Sequence, residues 1–395
     1  MRVAGSGAGA LGQIGRAGKW LMLLGTIALS ACQVVPKGPP RPIDVPPPVT
    51  IDPVGPALPT DNQRNRVALL VPLTGPNAAV GESISNAANM AVLDTGGKTI
   101  RVTMYDTATG AAAAAQKAVA EGNRLILGPL LADDVRIVAP IARAARVPVV
   151  TFSNDVGVAG NGVYVMGFAP AQSIERVVAY ARSKGATKFA GLVPSGLYGQ
   201  RSSTAFLRSV EAAGGQVVSL QTFDRSAGSI TAAITRMSNT SPYDAVLIAD
   251  SARVSIQAAP IIRARGGASA RLLGTELWNA EGLLAASPAL KGAWFASVSD
   301  GVYNQLAAKY RARFGKGPSR LASLGYDAVL LVSRIGGDWK FGSVFPVARL
   351  ADAGGFTGID GAFRFGRDGI AERALEVQQA GPGGFVVIDG APRGF

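Results

Sequence analysis

One strand–turn–helix unit at the start of the folded part of the chain limits what the rest of the sequence can form. Its strand, residues 67–73, is uniformly apolar and leads into Thr74-Gly75-Pro76. The next segment, 77–93, places small and apolar residues at helical spacing. A strand without polar alternation is covered on both faces, which is typical of a parallel sheet between helix layers. We therefore predict that the loop after this strand lies at the carboxyl edge of a sheet, where open α/β folds bind ligands.

The same alternation continues through most of the chain. Apolar runs of strand length recur at 100–105, 124–127, 147–152, 187–193, 216–223, 244–249 and 270–274. Helical segments separate them, notably Ala111–Glu121, Ala132–Ala145, Gln172–Lys184, Arg201–Ala213 and Arg253–Arg265. Alternating strands and helices over this length predict an α/β fold of parallel sheets with right-handed crossovers. The pattern breaks near 163–170 and 293–300, which we interpret as crossings between two lobes.

The pattern changes after the second break. Two helices, Tyr303–Phe314 and Leu321–Ile335, are predicted to pack back on the first lobe. The tail from Phe356 is predicted to form short antiparallel strands around a Gly366-Arg-Asp-Gly369 turn.

The N-terminus is typical of an export signal. Three basic residues precede an apolar run, 20–29, that is too short to span a bilayer comfortably: Arg2, Arg16 and Lys19. The tetrad Leu29-Ser-Ala-Cys32 resembles a bacterial lipobox, which implies cleavage before Cys32 and lipidation of its thiol. Several acyl chains on one residue would anchor the protein stably in a membrane. An ordinary secretory signal with an incidental cysteine is the alternative.

Two features after Cys32 bear on location. Gln33 is not the aspartate that commonly retains such lipoproteins in the inner membrane, so the resemblance implies the periplasmic face of the outer membrane. Ten of the 24 prolines lie in 36–59, which favours an extended polyproline II tether. At ~3.1 Å per residue this segment would reach roughly 75 Å. A disordered leader without any spanning role is the alternative.

Composition excludes several kinds of chemistry. There is no histidine and there is one cysteine, so the commonest general base, an intrachain disulfide and a Cys–His pair are all absent. No Walker or dinucleotide fingerprint occurs. We therefore expect no metal, no cofactor and no catalytic activity. The net charge of +13, or +10 without the signal's three basic residues, suits anionic partners or simply solubility, and export argues against nucleic acid.

Six short motifs follow one another along the chain: Leu73-Thr-Gly-Pro76, Leu127-Gly-Pro129, Val147-Pro-Val-Val-Thr151, Tyr198-Gly199, Gly325-Tyr-Asp-Ala328 and Gly358-Ile-Asp-Gly-Ala-Phe-Arg-Phe365. In this order they resemble the type I periplasmic binding proteins of the leucine/isoleucine/valine-binding kind. The resemblance covers roughly residues 66–390. It implies two Rossmann-like lobes with parallel sheets, joined by a three-crossing hinge, that close on a ligand in the cleft between them.

The resemblance also implies ligand contacts from the second lobe. Tyr198 falls at the family's ligand-stacking tyrosine, and Glu276 falls at the acidic residue that pairs with the ligand amine. Ser251 replaces an aromatic residue expected after Asp250. Packing for Tyr198 and a helix cap for Glu276 are the structural alternatives.

The first-lobe side of the implied cleft departs from the family pattern. Where small hydroxyl residues grip the ligand carboxylate, this chain has Leu130-Leu-Ala-Asp-Asp134, and the next strand ends Thr151-Phe-Ser-Asn-Asp155. Asp133 and Asp155 are therefore candidate cleft residues that would repel a carboxylate. Asp133 and Asp134 have an alternative role as helix first-turn carboxylates. We predict no tight binding of leucine, isoleucine or valine.

Two function classes follow from these observations. The lipobox, the tether and the altered carboxylate grip favour a non-catalytic outer-membrane lipoprotein that resembles the penicillin-binding-protein activators and stimulates a peptidoglycan synthase. The alternative is the solute-binding component of an amino-acid ABC transporter, with a small molecule in the cleft. A glycosidase with Asp155 and Glu276 as paired carboxylates is a third hypothesis.

The predicted organisation has four parts. Residues 1–31 form the signal peptide, and 32–65 comprise the lipidated cysteine and the tether. The first lobe comprises 66–168 and 300–340. The second lobe comprises 169–299 and 341–395.

Overall fold

The computed structural model describes residue 61 and residues 63–280, 287–381 and 383–392. Cys32, the predicted signal peptide and the proline-rich segment 36–59 lie outside the described residues. Within the described ranges, no helix is long and apolar enough to cross a bilayer.

The first lobe is built on a parallel sheet with helices on both faces. Its strands are β1 (Asn65–Val71), β2 (Ile100–Asp106), β3 (Leu125–Leu127), β4 (Val149–Thr151) and β5 (Val163–Val165), in the order β2-β1-β3-β4-β5. Helices α1 (Ala78–Asp94), α2 (Ala111–Ala120) and α3 (Ala132–Ala144) connect them. Alternate residues of β1 enter different cores, Leu69 beneath α1 and Leu70 beneath α2 and α3. The uniformly apolar strand is thus covered on both faces, as its sequence predicts.

The second lobe repeats this plan around a larger sheet. Its helices are α4 (Pro170–Ser183), α5 (Leu197–Ala212), α6 (Ala227–Ser238) and α7 (Ala252–Ala264). Its first strands are β6 (Lys188–Pro194), β7 (Gln216–Phe223), β8 (Ala245–Ile248), β9 (Arg271–Gly274) and β10 (Trp294–Ser297), all parallel. Helix α6 is absent from the sequence prediction. The signals that identify it are the cap, Ser226 Oγ accepting from Ser229 N, and the buried Ile230, Ile234 and Met237 at helical spacing.

The chain then returns to the first lobe. Helices α8 (Gly301–Phe314) and α9 (Ala322–Gly336) follow β10, and α9 packs against α1. Strands β11 (Phe356–Gly358), β12 (Gly361–Phe365) and β13 (Ala371–Arg373) form a separate antiparallel sheet. The last hairpin, β14 (Glu376–Gly381) and β15 (Gly384–Asp389), extends the second-lobe sheet beside β10.

The tail therefore divides between the lobes, which differs from the predicted assignment of 341–395 to the second lobe. Phe345, Leu350, Phe356 and Phe363 are buried in the same core as α1 and α9. The second lobe receives β14 and β15, which complete its sheet. The segment between α9 and β13 has apolar side chains on the face that packs against the first lobe. Burial of these side chains stabilises the segment in that position.

Each lobe has a glycine where the helix that follows its first strand crosses the end of that strand. A Cβ atom at Gly81 of α1 would lie 1.8 Å from Pro72 O, and one at Gly199 of α5 would lie 1.6 Å from Pro194 O. Any side chain there would collide with the strand backbone. These two glycines let the helix ends sit directly against the strand ends that face the cleft.

The lobes are joined by three short crossings. They follow β5 at 166–169, β10 at 298–300 and β13 at 374–375. The carboxyl ends of the parallel strands face the cleft, whereas the chain enters the first sheet at the opposite edge. There Asn65 Nδ2 donates to Trp339 O at 2.9 Å, and Gly342 N donates to Asn65 Oδ1 at 3.0 Å. The predicted fold class, two lobes with parallel sheets joined by a three-crossing hinge, is confirmed.

Candidate functional site

A cavity of about 230 Å³ lies between the lobes, at the carboxyl ends of their strands. The first lobe and its crossing contribute Leu130, Leu131, Phe152, Asn154 and Phe168. The second lobe and its crossing contribute Glu276, Leu277, Asn279, Ser297 and Val298, and the start of α9 adds Arg320 and Leu321. The wall is largely apolar, and its charged residues are Glu276 and Arg320. Such a lining is typical of a small-molecule site.

Glu276 follows β9 and presents part of its surface to the cavity, whereas its carboxyl group is deeply set among second-lobe hydroxyls. Ser173 Oγ on α4 donates to Oε2, and the Tyr198 hydroxyl donates to Oε1 at 3.1 Å. Burial raises the pKa of Glu276, and these hydrogen bonds offset only part of that rise. Within the described ranges, no lysine or arginine forms an ion pair with it. Glu276 is therefore an acid without a cationic partner in the part of the chain that the structure describes.

Tyr198 supports Glu276 from behind. Its ring packs against the second-lobe core, and its hydroxyl lies 3.1 Å from Thr275 Oγ1 as well as from Glu276. Burial, followed by the charge of Glu276, raises the pKa of Tyr198 well above its usual range. Tyr198 remains a neutral donor that orients the carboxyl group. It does not line the cavity, so the stacking role implied by the resemblance stays a prediction.

Asp155 lies beside the cavity, and its carboxylate forms ion pairs with two arginines. Its side chain is buried, and Oδ2 lies 2.5 Å from Arg136 Nη2 of the first lobe. Its Oδ1 accepts from Gly157 N at 2.9 Å and lies 3.5 Å from Arg201 Nη2 of the second lobe. Because both oxygens have partners, Asp155 bridges the lobes rather than facing the cavity with Glu276. Asp155 and Glu276 therefore do not form the pair of carboxylates that the glycosidase alternative requires.

Asp133 and Ser251 both serve helix ends. Asp133 is highly exposed in the first turn of α3 and lies 2.7 Å from Arg136 Nη1. Ser251 Oγ caps α7 by accepting from Val254 N at 3.4 Å. Neither residue lines the cavity. The observed contacts of Asp133 are those of a first-turn helix carboxylate, which was the alternative role for this residue.

The hydroxyl groups that follow the first-lobe strands bond to their own backbone. Thr151 Oγ1 donates to Pro129 O at 2.7 Å and accepts from Ser153 N at 3.1 Å. Ser153 Oγ accepts from Asp155 N at 3.1 Å, and both residues are buried. The first-lobe wall is left with leucine and phenylalanine side chains and the Asn154 amide.

Arg320 is a site residue that the sequence analysis missed. It is buried, and its Nη1 donates to Asp360 Oδ1 at 2.7 Å while its Nε lies 3.4 Å from Asp300 Oδ1. The Tyr303 ring lies 4.0 Å from the guanidinium carbon. Asp360 was a usable signal, because an acidic residue inside an apolar motif needs a cation when it is buried.

A second buried arginine extends this network along the hinge. Arg373 Nη2 donates to Met166 O at 2.7 Å, and the guanidinium lies between Phe168 and Phe363. Burial, and then the charge of Asp360, raises the pKa of Asp327 to about 7. Asp300, Met166 and Arg373 lie at or next to the three crossings, so these buried charges link the hinge segments.

The described residues contain no group of three or more histidine, cysteine or acidic side chains that could hold a metal ion. What the fold defines is a two-lobed binding protein with an enclosed, mostly apolar site at its hinge. The chain belongs to the periplasmic binding protein family, whose model matches residues 65–384.

Solved structures of solute-binding proteins share the fold at low identity. A branched-chain amino-acid ABC transporter ligand-binding protein from Burkholderia xenovorans LB400 is 16% identical with a TM-score of 0.69, covering 83% of this chain and 96% of that one. A leucine-binding protein from Thermotoga maritima is 22% identical with a TM-score of 0.62, covering 83% and 99%. A solute-binding protein from Rhodopseudomonas palustris BisB5, in complex with 3,4-dihydroxybenzoic acid, is 21% identical with a TM-score of 0.65, covering 83% and 97%.

A relative of higher identity is an uncharacterized protein of Rickettsia prowazekii. It is 32% identical over 139 residues, which are 35% of this chain and 37% of that protein. The chain therefore spans just over a third of that relative's length.

Proposed function

We propose that this protein is a solute receptor that closes its lobes around a small molecule, in the manner of the binding component of an ABC transporter. This function was the alternative in the sequence analysis. The observation that carries it is the cavity of about 230 Å³, which has walls from both lobes and a carboxyl group with no cationic partner among the described residues.

The test is a thermal-shift screen of the full-length protein against a library of small metabolites, with calorimetry on the compounds that respond. A ligand present at 100 times its dissociation constant stabilises the folded state by about 2.7 kcal/mol. Val298→Trp places a large ring in the cavity and should abolish every response. Val302→Trp is the matched control, because Val302 is exposed on α8. If no compound stabilises the protein, or if Val298→Trp responds like the control, the receptor proposal fails.

The activator function is a second candidate, and one observation favours it. The first-lobe hydroxyl groups that would grip an amino-acid carboxylate are bonded to the protein's own backbone. In this proposal Cys32 anchors the protein to the outer membrane, and the segment 36–59 lets the body reach a peptidoglycan synthase. The basic net charge supports contact with an acidic surface of that partner.

This candidate has a test of its own. Deleting 36–59 should weaken wall-precursor incorporation in cells, and an unrelated proline-rich spacer of equal length should restore it. The same body should capture the synthase from solubilised membranes and stimulate it in solution, where reach does not matter. Normal incorporation in cells that carry the deletion would argue against the spanning role.

A further inference from the structure

We infer that the cleft selects a small organic amine with an apolar body and no carboxylate. This inference rests on the proposed function, since it names the ligand class of the same cavity. It separates this protein from receptors that bind whole amino acids and from those that bind aromatic acids.

The first step is the charge that the cavity leaves unpaired. Glu276 lines the cavity, and the partners of its carboxyl oxygens are the hydroxyls of Ser173 and Tyr198. Two neutral donors do not offset the cost of a buried carboxylate. An alkylammonium group, charged at neutral pH like a lysine side chain, supplies the missing cation.

The second step is the opposite wall, where an amino acid would need a grip for its carboxylate. Leu130, Leu131 and Phe152 stand there, and the Thr151 hydroxyl proton is given to Pro129 O. A ligand carboxylate would meet apolar side chains there, whereas an apolar group would be accepted.

The third step concerns Arg320, the cation on the wall. Its guanidinium is balanced by Asp360, at 2.7 Å, and by Asp300, at 3.4 Å. Nε and Nη2 have no hydrogen-bond partner among the described residues, but both nitrogens are buried. Two carboxylates for one guanidinium leave no net positive charge to attract an anion. Arg320 is nevertheless where an acid would have to bind, so acids belong in the test.

The volume of the cavity limits the size of the ligand's apolar part. An apolar cavity of about 150 Å³ is large enough for benzene. The 230 Å³ available here therefore fits a branched alkyl chain or a phenyl ring with a short linker to the ammonium group.

The experiment is calorimetry on the full-length protein with two matched ligand series. The aliphatic series is 3-methylbutan-1-amine, leucine, 4-methylpentanoate and 3-methylbutan-1-ol. The aromatic series is 2-phenylethylamine, phenylalanine, 3-phenylpropanoate and 2-phenylethanol. Within a series the apolar body stays constant while the charged groups change. We expect the amine to bind most tightly in at least one series, by tenfold or more over its amino acid.

Two variants test the contact with Glu276. Glu276→Gln keeps a hydrogen-bonding side chain but removes the charge, and it should weaken amine binding by about 30-fold or more. Tyr198→Phe removes one donor that stabilises the carboxylate. Amine affinity should rise with pH as Glu276 ionises, and Tyr198→Phe should move that rise to higher pH. Asp133→Asn is the matched control, because it removes an exposed carboxylate outside the cavity and should change affinity less than twofold.

The outcomes separate the two proposals. If leucine, phenylalanine or either acid binds as tightly as its matched amine, the amine inference is wrong and the receptor proposal stands. If Glu276→Gln binds the amine as well as the original protein does, the inference is also wrong. If no compound in either series or in the metabolite screen binds, both proposals fail.

Discussion

Asp155 of the first lobe and Arg201 of the second form an ion pair across the lobe boundary, with 3.5 Å between Oδ1 and Nη2. Asn154 lines both the cavity and a groove that Arg201 also lines, so the pair lies next to the ligand site. Arg136 holds the other oxygen of Asp155. The pair is a contact between the lobes that needs no ligand.

We predict that Arg201→Ala loosens the closed form of the unliganded protein. Arg201 is about half exposed, so the pair contributes about 0.5–1 kcal/mol, which shifts the open-to-closed ratio by about two- to fivefold. Small-angle scattering should show a larger radius of gyration without ligand and a larger contraction on binding. Arg208→Ala, on the same helix, is the control. An unchanged radius for Arg201→Ala would show that the pair does not hold the lobes together.

Glu276→Gln should stabilise the unliganded protein. Because burial raises the pKa of this carboxyl above 4.5, the folded state binds its proton more tightly than the unfolded state does. Its contribution to stability therefore falls as the pH rises from 4.5 through the raised pKa. The glutamine variant avoids this loss and should gain about 1 kcal/mol at pH 8 and little at pH 4. Urea unfolding at both values is the measurement, and equal effects would contradict the prediction.

The paired glycines offer a matched test of the link between helix position and binding. Gly81→Ala and Gly199→Ala each force a helix away from a strand end and should cost about 1–3 kcal/mol in the free energy of unfolding. Helix α5 carries Tyr198 and Arg201, so Gly199→Ala should also reduce ligand binding. Gly81→Ala lies away from those contacts and should reduce stability alone. Denaturant midpoints and binding isotherms of both variants distinguish the effects.

Asp327 should give stability a pH dependence near neutrality. Its pKa is about 7 in the folded state against 3.8 ordinarily, so its contribution to stability falls between about pH 4 and 7 and is flat above that. Asp327→Asn removes this pH dependence. The free energy of unfolding of the variant, minus that of the original protein, should therefore increase by about 2 kcal/mol from pH 5 to pH 7. The exposed Asp338→Asn is the control. A difference that stays constant with pH would contradict the assignment.

Cys32 carries the prediction about location. If its thiol is acylated, the protein should fractionate with outer membranes, and Cys32→Ala should leave an unprocessed or soluble form. Membrane fractionation followed by immunoblotting is the measurement. Outer-membrane fractionation of Cys32→Ala equal to that of the original protein would rule out the lipobox.

The fold was predictable because its signals are local. Uniform apolar runs and helical spacing in segments of four to seventeen residues indicate parallel strands and their covering helices. The tail was harder, because β11 to β13 and the β14–β15 hairpin are equally short antiparallel strands in sequence. Which sheet each joins depends on distant partners, Phe345 and Leu350 for one and β10 for the other.

The site residues were likewise predictable only where the signal was local in sequence. Glu276 lies on the cavity wall because its position after β9 is fixed by the strand, and its contact with a ligand amine stays a prediction. The partners of Asp155, on α3 and α5, are 19 and 46 positions away in sequence, and no local pattern joins them. Arg320 has an ordinary polar context after Ser319, and its burial depends on Asp360 and Tyr303.

The entry of the chain at Asn65 has a mechanical consequence. Strand β1 lies between β2 and β3 and pairs in parallel along its whole length with β2, from Asn65 to Val71. A pull on the chain ahead of Asn65, directed along the strand, shears β1 against both neighbours and loads their hydrogen bonds together instead of one after another. If the chain is anchored ahead of Asn65, as proposed for Cys32, the anchor holds the first lobe and leaves the second lobe free to move.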